Sequence, residues 1–400
     1  MSRYFAAGLV SALTAFAAPA QTMVTESDFL SVLTPSHPAV AAASDELALA
    51  RAALIDARAF ENPSLGIARE DPSGPAGQTD LTLSWQLPDF SRGLRVEARE
   101  KEVEAAAARL SHTFLLLRLE MRELYAAWAV AAAQREWLAT HMERLDELTA
   151  RERLRAERGE SSGLEAHRLA LAANVLRARA ALAAAAEREW RARARSWNPQ
   201  LPADALPLLP DLPPLDAVPE SHPLVVAAQA DVDAALAAQR AAGRFFRSPE
   251  VMAGWQQQET AQESLAGPLW GVNWSVPLFT RNRAERAIAD ARLIVARARL
   301  ERIRREIDAR RQAAAEIYAQ LASDVTVLKA AVLENEQILR GAEAAFIHGE
   351  ASLTDLLETW RSATDAEMGA LELREAAMAA LRELERLSTP LQSIEKEIQP

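Results

Sequence analysis

One stretch occurs twice in this chain, and it restricts the possible folds more than any other feature. The first copy reads Ser84-Trp85-Gln86-Leu87-Pro88-Asp89-Phe90-Ser91-Arg92-Gly93. The second reads Asn273-Trp274-Ser275-Val276-Pro277-Leu278-Phe279-Thr280-Arg281-Asn282. In each, an alternating apolar run ends at a proline, and a segment free of proline follows, 89–198 in one case and 278–389 in the other. This pattern predicts a β-strand that passes into very long helix. Other landmarks return in the same order. Ser36-His37-Pro38 is answered by Ser221-His222-Pro223, Asn62-Pro63 by Ser248-Pro249, and Arg158-Gly159-Glu160 by His348-Gly349-Glu350. The chain is therefore one unit duplicated, with a period too long for a solenoid repeat.

Each unit has the same punctuation. The first, 21–196, predicts helices at about 36–61, 93–158 and 164–196, with strands at about 64–70 and 79–87. The second, 222–389, predicts helices at about 222–247, 281–347 and 353–389, with strands at about 250–258 and 269–276. Asn62-Pro63 stops the first helix, because the residue before a proline avoids helical backbone. The long helix carries a seam, Leu110, Phe114, Leu117, Met121, Leu124 and Trp128, whose steps of four and three mark coiled-coil packing. In each unit the two shorter helices together nearly match the long one, so they can stack end to end along it. The segment 197–221 is rich in proline and predicts an extended connector on the outside. The tail 390–400 is short and charged.

The strands alternate cleanly. Leu81, Leu83, Trp85 and Leu87 point one way, and Thr82, Ser84 and Gln86 the other. Trp85, Trp255, Trp270 and Trp274 suit a belt at a membrane interface, with the polar face turned to water. Two hairpins packed on a soluble core would use the same alternation, and the strands alone leave both readings open.

Composition closes several other routes. A net charge of −11 argues against nucleic acid as a partner, which calls for a basic face. The absence of cysteine removes disulfides, thiolate metal sites, a cysteine nucleophile and a lipid-modified cysteine anchor. The six histidines are scattered without ligand spacing, so neither a metal nor a cofactor is expected. Gly159-Glu160-Ser161-Ser162-Gly163 matches a hydrolase elbow, but a charged helical run precedes it where that elbow needs a strand. No enzyme activity is expected. Residues 1–20, with Arg3, an apolar core and Ala18-Pro19-Ala20, read as an export signal. No later apolar run reaches the ~20 residues of a membrane helix by inspection. Either the mature chain stays in the periplasm, or it crosses a membrane as strands. Four strands cannot close a barrel, so a membrane sheet would have to be shared between copies.

Helix, hairpin, long helix, tip and returning helix, duplicated behind a signal segment, resemble the TolC family of outer-membrane efflux channels over about 36–390. Val276-Pro277-Leu278-Phe279-Thr280-Arg281-Asn282-Arg283 is similar to the strand-to-helix junction of the cobalt-zinc-cadmium branch. Gly349-Glu350-x-Ser352-Leu353-x-Asp355-Leu356-Leu357 resembles the family's second helical tip. The resemblance implies a mainly α fold with a small β part. It also implies a homotrimer, whose 12-stranded barrel in the outer membrane of a Gram-negative bacterium continues into a periplasmic α-helical barrel. The implied partners are outer-membrane lipid, a periplasmic adaptor and an inner-membrane RND pump. The implied role is a passive exit duct, here for heavy-metal cations. The alternatives are a multidrug or type I secretion duct of the same family and, from another class, a soluble periplasmic coiled-coil scaffold.

By that resemblance Asp355, and with it Glu358, would ring the periplasmic aperture. The tips, with Gly159, Ser162 and Glu165 in one repeat and Gly349 and Ser352 in the other, would dock the adaptor. A purely structural account competes, because Ser352-x-x-Asp355 and Ser162-x-x-Glu165 are also helix-capping signatures. Arg92 and Arg281, at equivalent junctions, are candidates for anchoring to lipid headgroups.

Overall fold

The computed structural model describes residues 22–34, 37–71, 77–88, 91–214, 222–244, 248–260, 263–274 and 282–389. The segment 1–20 read as an export signal, the second junction around Pro277 and Arg281, and the tail 390–400 lie outside the described residues. In chain order the elements are β1 (Met23–Val24), α1 (Glu26–Leu30), α2 (Pro38–Arg58), β2 (Ser64–Glu70), β3 (Gly77–Gln86), α3 (Arg92–Glu157) and α4 (Gly163–Trp197). The second half follows with β4 (Leu206–Pro207), α5 (Pro223–Ala242), β5 (Glu250–Glu259), β6 (Ser264–Asn273), α6 (Arg283–His348) and α7 (Leu353–Ser388).

Helices α3 and α6 each run 66 residues, or ~100 Å at ~1.5 Å per residue. Nothing in them interrupts the backbone ladder, since proline is absent and Ala, Leu, Arg and Glu dominate. The α3 seam residues Phe114, Met121, Leu124 and Trp128 are buried. Helix α5 opens with Pro223 in its first turn, where a missing N–H costs nothing.

The chain divides into two compact units, and α3, α6 and α7 supply residues to both. The unit containing Met121–Leu212 and Val327–Glu375 packs α3, α4, α6 and α7 around Leu145, Leu169, Leu176, Leu339, Phe346 and Leu356. Its N-terminal segment docks as well. Phe29 is fully buried, 5.7 Å from the Tyr125 ring, and the Tyr125 hydroxyl lies 2.7 Å from the Val24 carbonyl and 2.8 Å from that of Leu208. Arg122 pairs with Glu26 at 2.8 Å.

This arrangement corrects the expectation of a wholly external connector. Leu206–Pro207 pairs in parallel with Met23–Val24, and Leu201 and Ala205 are buried. The ladder bonds come from the N–H groups of Leu206 and Leu208, to Thr22 and Val24, so the N–H that Pro207 lacks is not needed.

In the unit containing Leu33–Glu120 and Pro213–Thr326, α2 lies along α3 and α5 along α6. Arg58 reaches Glu100 at 2.5 Å, and Gln239 donates to Asp290 at 2.7 Å. Arg109 of α3 clasps Asp231 of α5 at 2.6 Å.

Three boundaries differ from the sequence reading. Helix α2 ends at Arg58, short of the Asn62-Pro63 break, and α5 ends at Ala242 because Gly243 caps it. The last strand is Ser264–Asn273 rather than 269–276, since Pro268 lies inside it. Proline is tolerated there because β6 is an edge strand. Between β5 and β6 the Thr260 N–H donates to the Glu263 carbonyl at 2.9 Å.

One helix among the described residues, α4, is long and apolar enough by length and composition to cross a membrane, contrary to the reading by inspection. Its Arg177 is bound to Asp146 of α3 at 2.8 Å and its Arg179 to Asp365 of α7 at 3.3 Å. Those bonds hold the middle of α4 against its neighbours.

Candidate functional site

Four strands form one antiparallel sheet in the order β2-β3-β5-β6. The two hairpins of the duplicated unit meet at the β3–β5 ladder, and β2 and β6 are its edges. Register sorts the side chains. Leu65, Leu83, Ala253 and Trp270 stand in one row, and Ile67, Leu81, Trp255 and Pro268 in the next on the same face, with Trp85, Val251 and Val272 beside them. The opposite face carries Ser64, Ser84, Thr82, Asp80, Gln78 and Gln256. Ser64 and Ser84 hydrogen-bond across the ladder at 2.7 Å, and Gln78 donates to Asp80 at 2.9 Å. Gly254 belongs to this polar face, where a Cβ would run into the Leu81 carbonyl, so only glycine lets β3 and β5 approach so closely.

Exposure is inverted relative to a water-soluble sheet. Along β3 the apolar Leu81, Leu83 and Trp85 are exposed while Thr82 and Ser84 between them are partly covered; β5 and β6 likewise expose Ala253, Trp255, Trp270 and Val272, with Gly254 and Gly271 between them partly covered. Trp270 is 81% exposed and Ile67 74%. Burying a large apolar side chain stabilises by roughly 1.5–3 kcal/mol. Eight large apolar residues on this face are exposed: Leu65, Ile67, Leu81, Leu83, Trp85, Trp255, Trp270 and Val272. Left in water they forgo about 10–20 kcal/mol, as much as the whole stability of a typical domain, ~5–15 kcal/mol. The face is built for a non-aqueous surrounding. Trp274 lies just beyond β6, half exposed. Trp85, at the end of β3, donates its indole N–H to the Glu61 carbonyl at 2.9 Å.

The two helical tips are built alike. Gly159 and Gly349 have φ of +74° and +76°, the left-handed conformation that ends a helix. At the first tip Gly159 donates to the Ala156 carbonyl and Glu160 to that of Arg155. At the second, Gly349 donates to Phe346 and Glu350 to Ala345. Each pair is a Schellman closure. Three residues after each glycine a serine starts the next helix. The Ser162 hydroxyl accepts from the Leu164 N–H at 3.2 Å. Ser352 and Asp355 form a reciprocal box: Ser352 donates its N–H and hydroxyl to the Asp355 carboxylate at 3.2 and 2.7 Å, and its oxygen accepts from the Asp355 N–H. Glu165 is partly covered in the first turn of α4, and Glu358 is exposed one turn along α7. The Asp355 carboxylate is thus already engaged in capping α7.

No family model matches this chain, and no curated protein does. Solved structures do. The crystal structure of CusC superposes with a TM-score of 0.71 at 17% identity, covering 91% of this chain and 92% of that one. The outer-membrane protein VceC of Vibrio cholerae gives 0.72 at 17% identity over 92% and 96% of the two chains. The open MtrE outer-membrane channel of Neisseria gonorrhoeae gives 0.71 at 16% identity over 94% and 91%. The fold is that of a TolC-type channel protomer.

Within this TolC-type fold lies a polar cluster that sequence spacing did not indicate. His141 of α3 is buried and stacked on Trp137 at 3.8 Å, and its Nε2 meets Glu336 of α6 at 3.1 Å. Arg144 of α3 binds Glu336 at 3.0 Å and Glu343 at 2.7 Å, and its guanidinium faces the Trp360 ring of α7. Burial opposes ionisation of Glu336, but hydrogen bonds from His141 and Arg340 and the charge of Arg144 outweigh it and hold the carboxyl below its usual range. These residues are 195 positions apart along the chain at the His141–Glu336 pair. The only sequence trace is their place on the inward stripes of two equivalent helices.

Proposed function

We propose that the protein is the outer-membrane exit duct of a tripartite efflux system. One observation carries this reading: a four-stranded sheet with an exposed apolar face, a polar opposite face and two strand edges that have no neighbour among the described residues. A sheet in lipid cannot leave its edges open. Three copies joined edge to edge would supply twelve strands, enough to surround a water-filled lumen lined by the polar face. The TolC-type fold supports the same assembly. The test is the mass of the mature protein extracted from outer membranes in mild detergent. A trimer is expected. A soluble monomer or dimer from the periplasm would return the protein to the scaffold class.

In this reading the two tips receive the adaptor, and the adaptor couples the duct to an inner-membrane RND pump. Residues Asp355 and Glu358 ring the aperture. Because Asp355 also caps α7, Glu358→Gln is the cleaner probe. Single-channel conductance of the substituted trimer should shift in cation preference, and an unaltered conductance would remove Glu358 from the aperture. Heavy-metal cations are the proposed cargo, on the resemblance of Val276–Arg283 and of the 349–357 tip to the cobalt-zinc-cadmium branch. A strain lacking the duct should lose metal resistance before drug resistance. The opposite order would favour the multidrug member of the same family.

A further inference from the structure

The apolar face of the sheet ends along β3 at Trp85, and a cavity of about 810 Å3 opens next to that end. Its walls come from α2, the start of α3, α5 and α6. Three arginines of α3, Arg92, Arg95 and Arg99, follow one helical face at i, i+3 and i+7, and Arg292 of α6 joins them. The Arg92 guanidinium donates to the Arg58 carbonyl and lies over the Phe60 ring at 4.3 Å, yet its Nε is buried without a hydrogen-bond partner among the described residues.

Carboxylates share the wall. Glu102 is committed to Arg99 at 2.5 Å, whereas Asp56 and Glu61 have no ion-pair partner among the described residues. This donor set is too basic for a lone cation and too mixed for a polyanion. It matches a zwitterion, with a phosphate among the guanidiniums and an ammonium facing the carboxylates. The volume lies within the ~300–1,000 Å3 of small-molecule sites.

Position decides where such a group comes from. Trp85 closes the apolar face and donates to the carbonyl of Glu61, itself a wall residue, so the face and the cavity are joined by a hydrogen bond. Phe60, another wall residue, is 59% exposed. Trp85, with an apolar body and a polar N–H, is the kind of aromatic residue that settles at headgroup depth. We infer that the cavity holds the headgroup of a bilayer phospholipid of the phosphoethanolamine class. The inference rests on the reading of the sheet as membrane-embedded.

The experiment uses the full chain in mild detergent, with bound lipid counted by native mass spectrometry during titration. The ligands are a phosphoethanolamine lipid, a phosphoglycerol lipid and soluble phosphoethanolamine. One phosphoethanolamine lipid per chain should be retained. Arg292→Gln, a substitution at an exposed side chain, should weaken retention about tenfold, and Arg92→Gln should do the same with unchanged helicity. Asp56→Asn should erase the preference over the phosphoglycerol lipid. Retention indifferent to both arginine variants overturns the site. Soluble phosphoethanolamine binding as tightly as the lipid overturns the lipid assignment and leaves a free-phosphate site. Vesicle flotation separates the two levels of the reading. A wild-type chain that fails to float removes the membrane sheet and this site together, whereas flotation with indifferent variants removes the site alone.

Discussion

His222 performs two bonding tasks that only its neutral ring can perform together. Its Nδ1 accepts from the Leu224 N–H at 3.1 Å and starts α5, while Nε2 donates to the Arg386 carbonyl of α7 at 2.9 Å. His112 of α3 lies edge-on to it, with ring centroids 5.5 Å apart. Burial, then the nearby His222 and Arg386, pushes His112 down to about 4. Burial and Arg311 also push His222 down, against the opposing bond to Arg386. The folded protein thus disfavours the charged form of both rings, while the unfolded chain takes up protons from about pH 6.5 downward. Both contributions are complete above that value; that of His112 is lost as the pH falls towards 4, and that of His222 declines in the same direction. For His112 the loss is at most roughly 3 kcal/mol, and less after solvent screening of a ring that is not fully buried. Thermal unfolding followed from pH 7.5 to 4.5 should show a falling midpoint, and His112→Gln should flatten the slope. A midpoint independent of pH over this range would contradict the neutral pair.

Among the elements, the helical tips show how local chemistry ends a helix. Gly159 and Gly349 occupy the left-handed region, where a Cβ is strained at about 1 kcal/mol. Neither glycine has a neighbour that a Cβ would meet, so the cost is conformational and should be equal at the two tips. Gly159→Ala and Gly349→Ala should each destabilise by about 1 kcal/mol in denaturant unfolding, with unchanged slope. Unequal costs would mean that one tip is held by something besides its own turn. These features were legible in advance, because glycine, proline and serine act on the backbone within a few residues. The inward stripe of α3 was legible for the same reason. The bonds of His141 and Arg144 to Glu336 were not, since a polar pair between two distant helices leaves no periodic mark.

For the whole molecule, the consequence of the inverted sheet is a difference between its two faces. Trp270→Arg puts a charge on the apolar face, and Gln256→Arg puts the same charge on the polar face. In a bilayer the first should cost ~2–4 kcal/mol near the midplane and less near the interface, and the second almost nothing. Yield of heat-resistant oligomer in membranes, compared between the two variants, reads the difference directly. Equal yields would mean that the apolar face does not meet lipid.

The residues alone determined the duplication, the helix and strand content, the alternation of the hairpins and the placing of the tips. Each is a property of neighbouring residues, through helical period, strand period, proline or glycine. Tertiary structure alone decided that β3 pairs with β5, so that two hairpins become one sheet with a single apolar face. It also decided that Trp85, Trp255 and Trp270 are exposed rather than packed on a core, a choice the alternation left open. The docking of Met23–Val24 on Leu206–Pro207 belongs with these. A two-residue ladder has no pattern of its own and exists because Tyr125, Phe29 and Arg122 hold its strands in place. Such contacts join residues 83 to 101 positions apart, and their free energy depends on what the folded chain brings together.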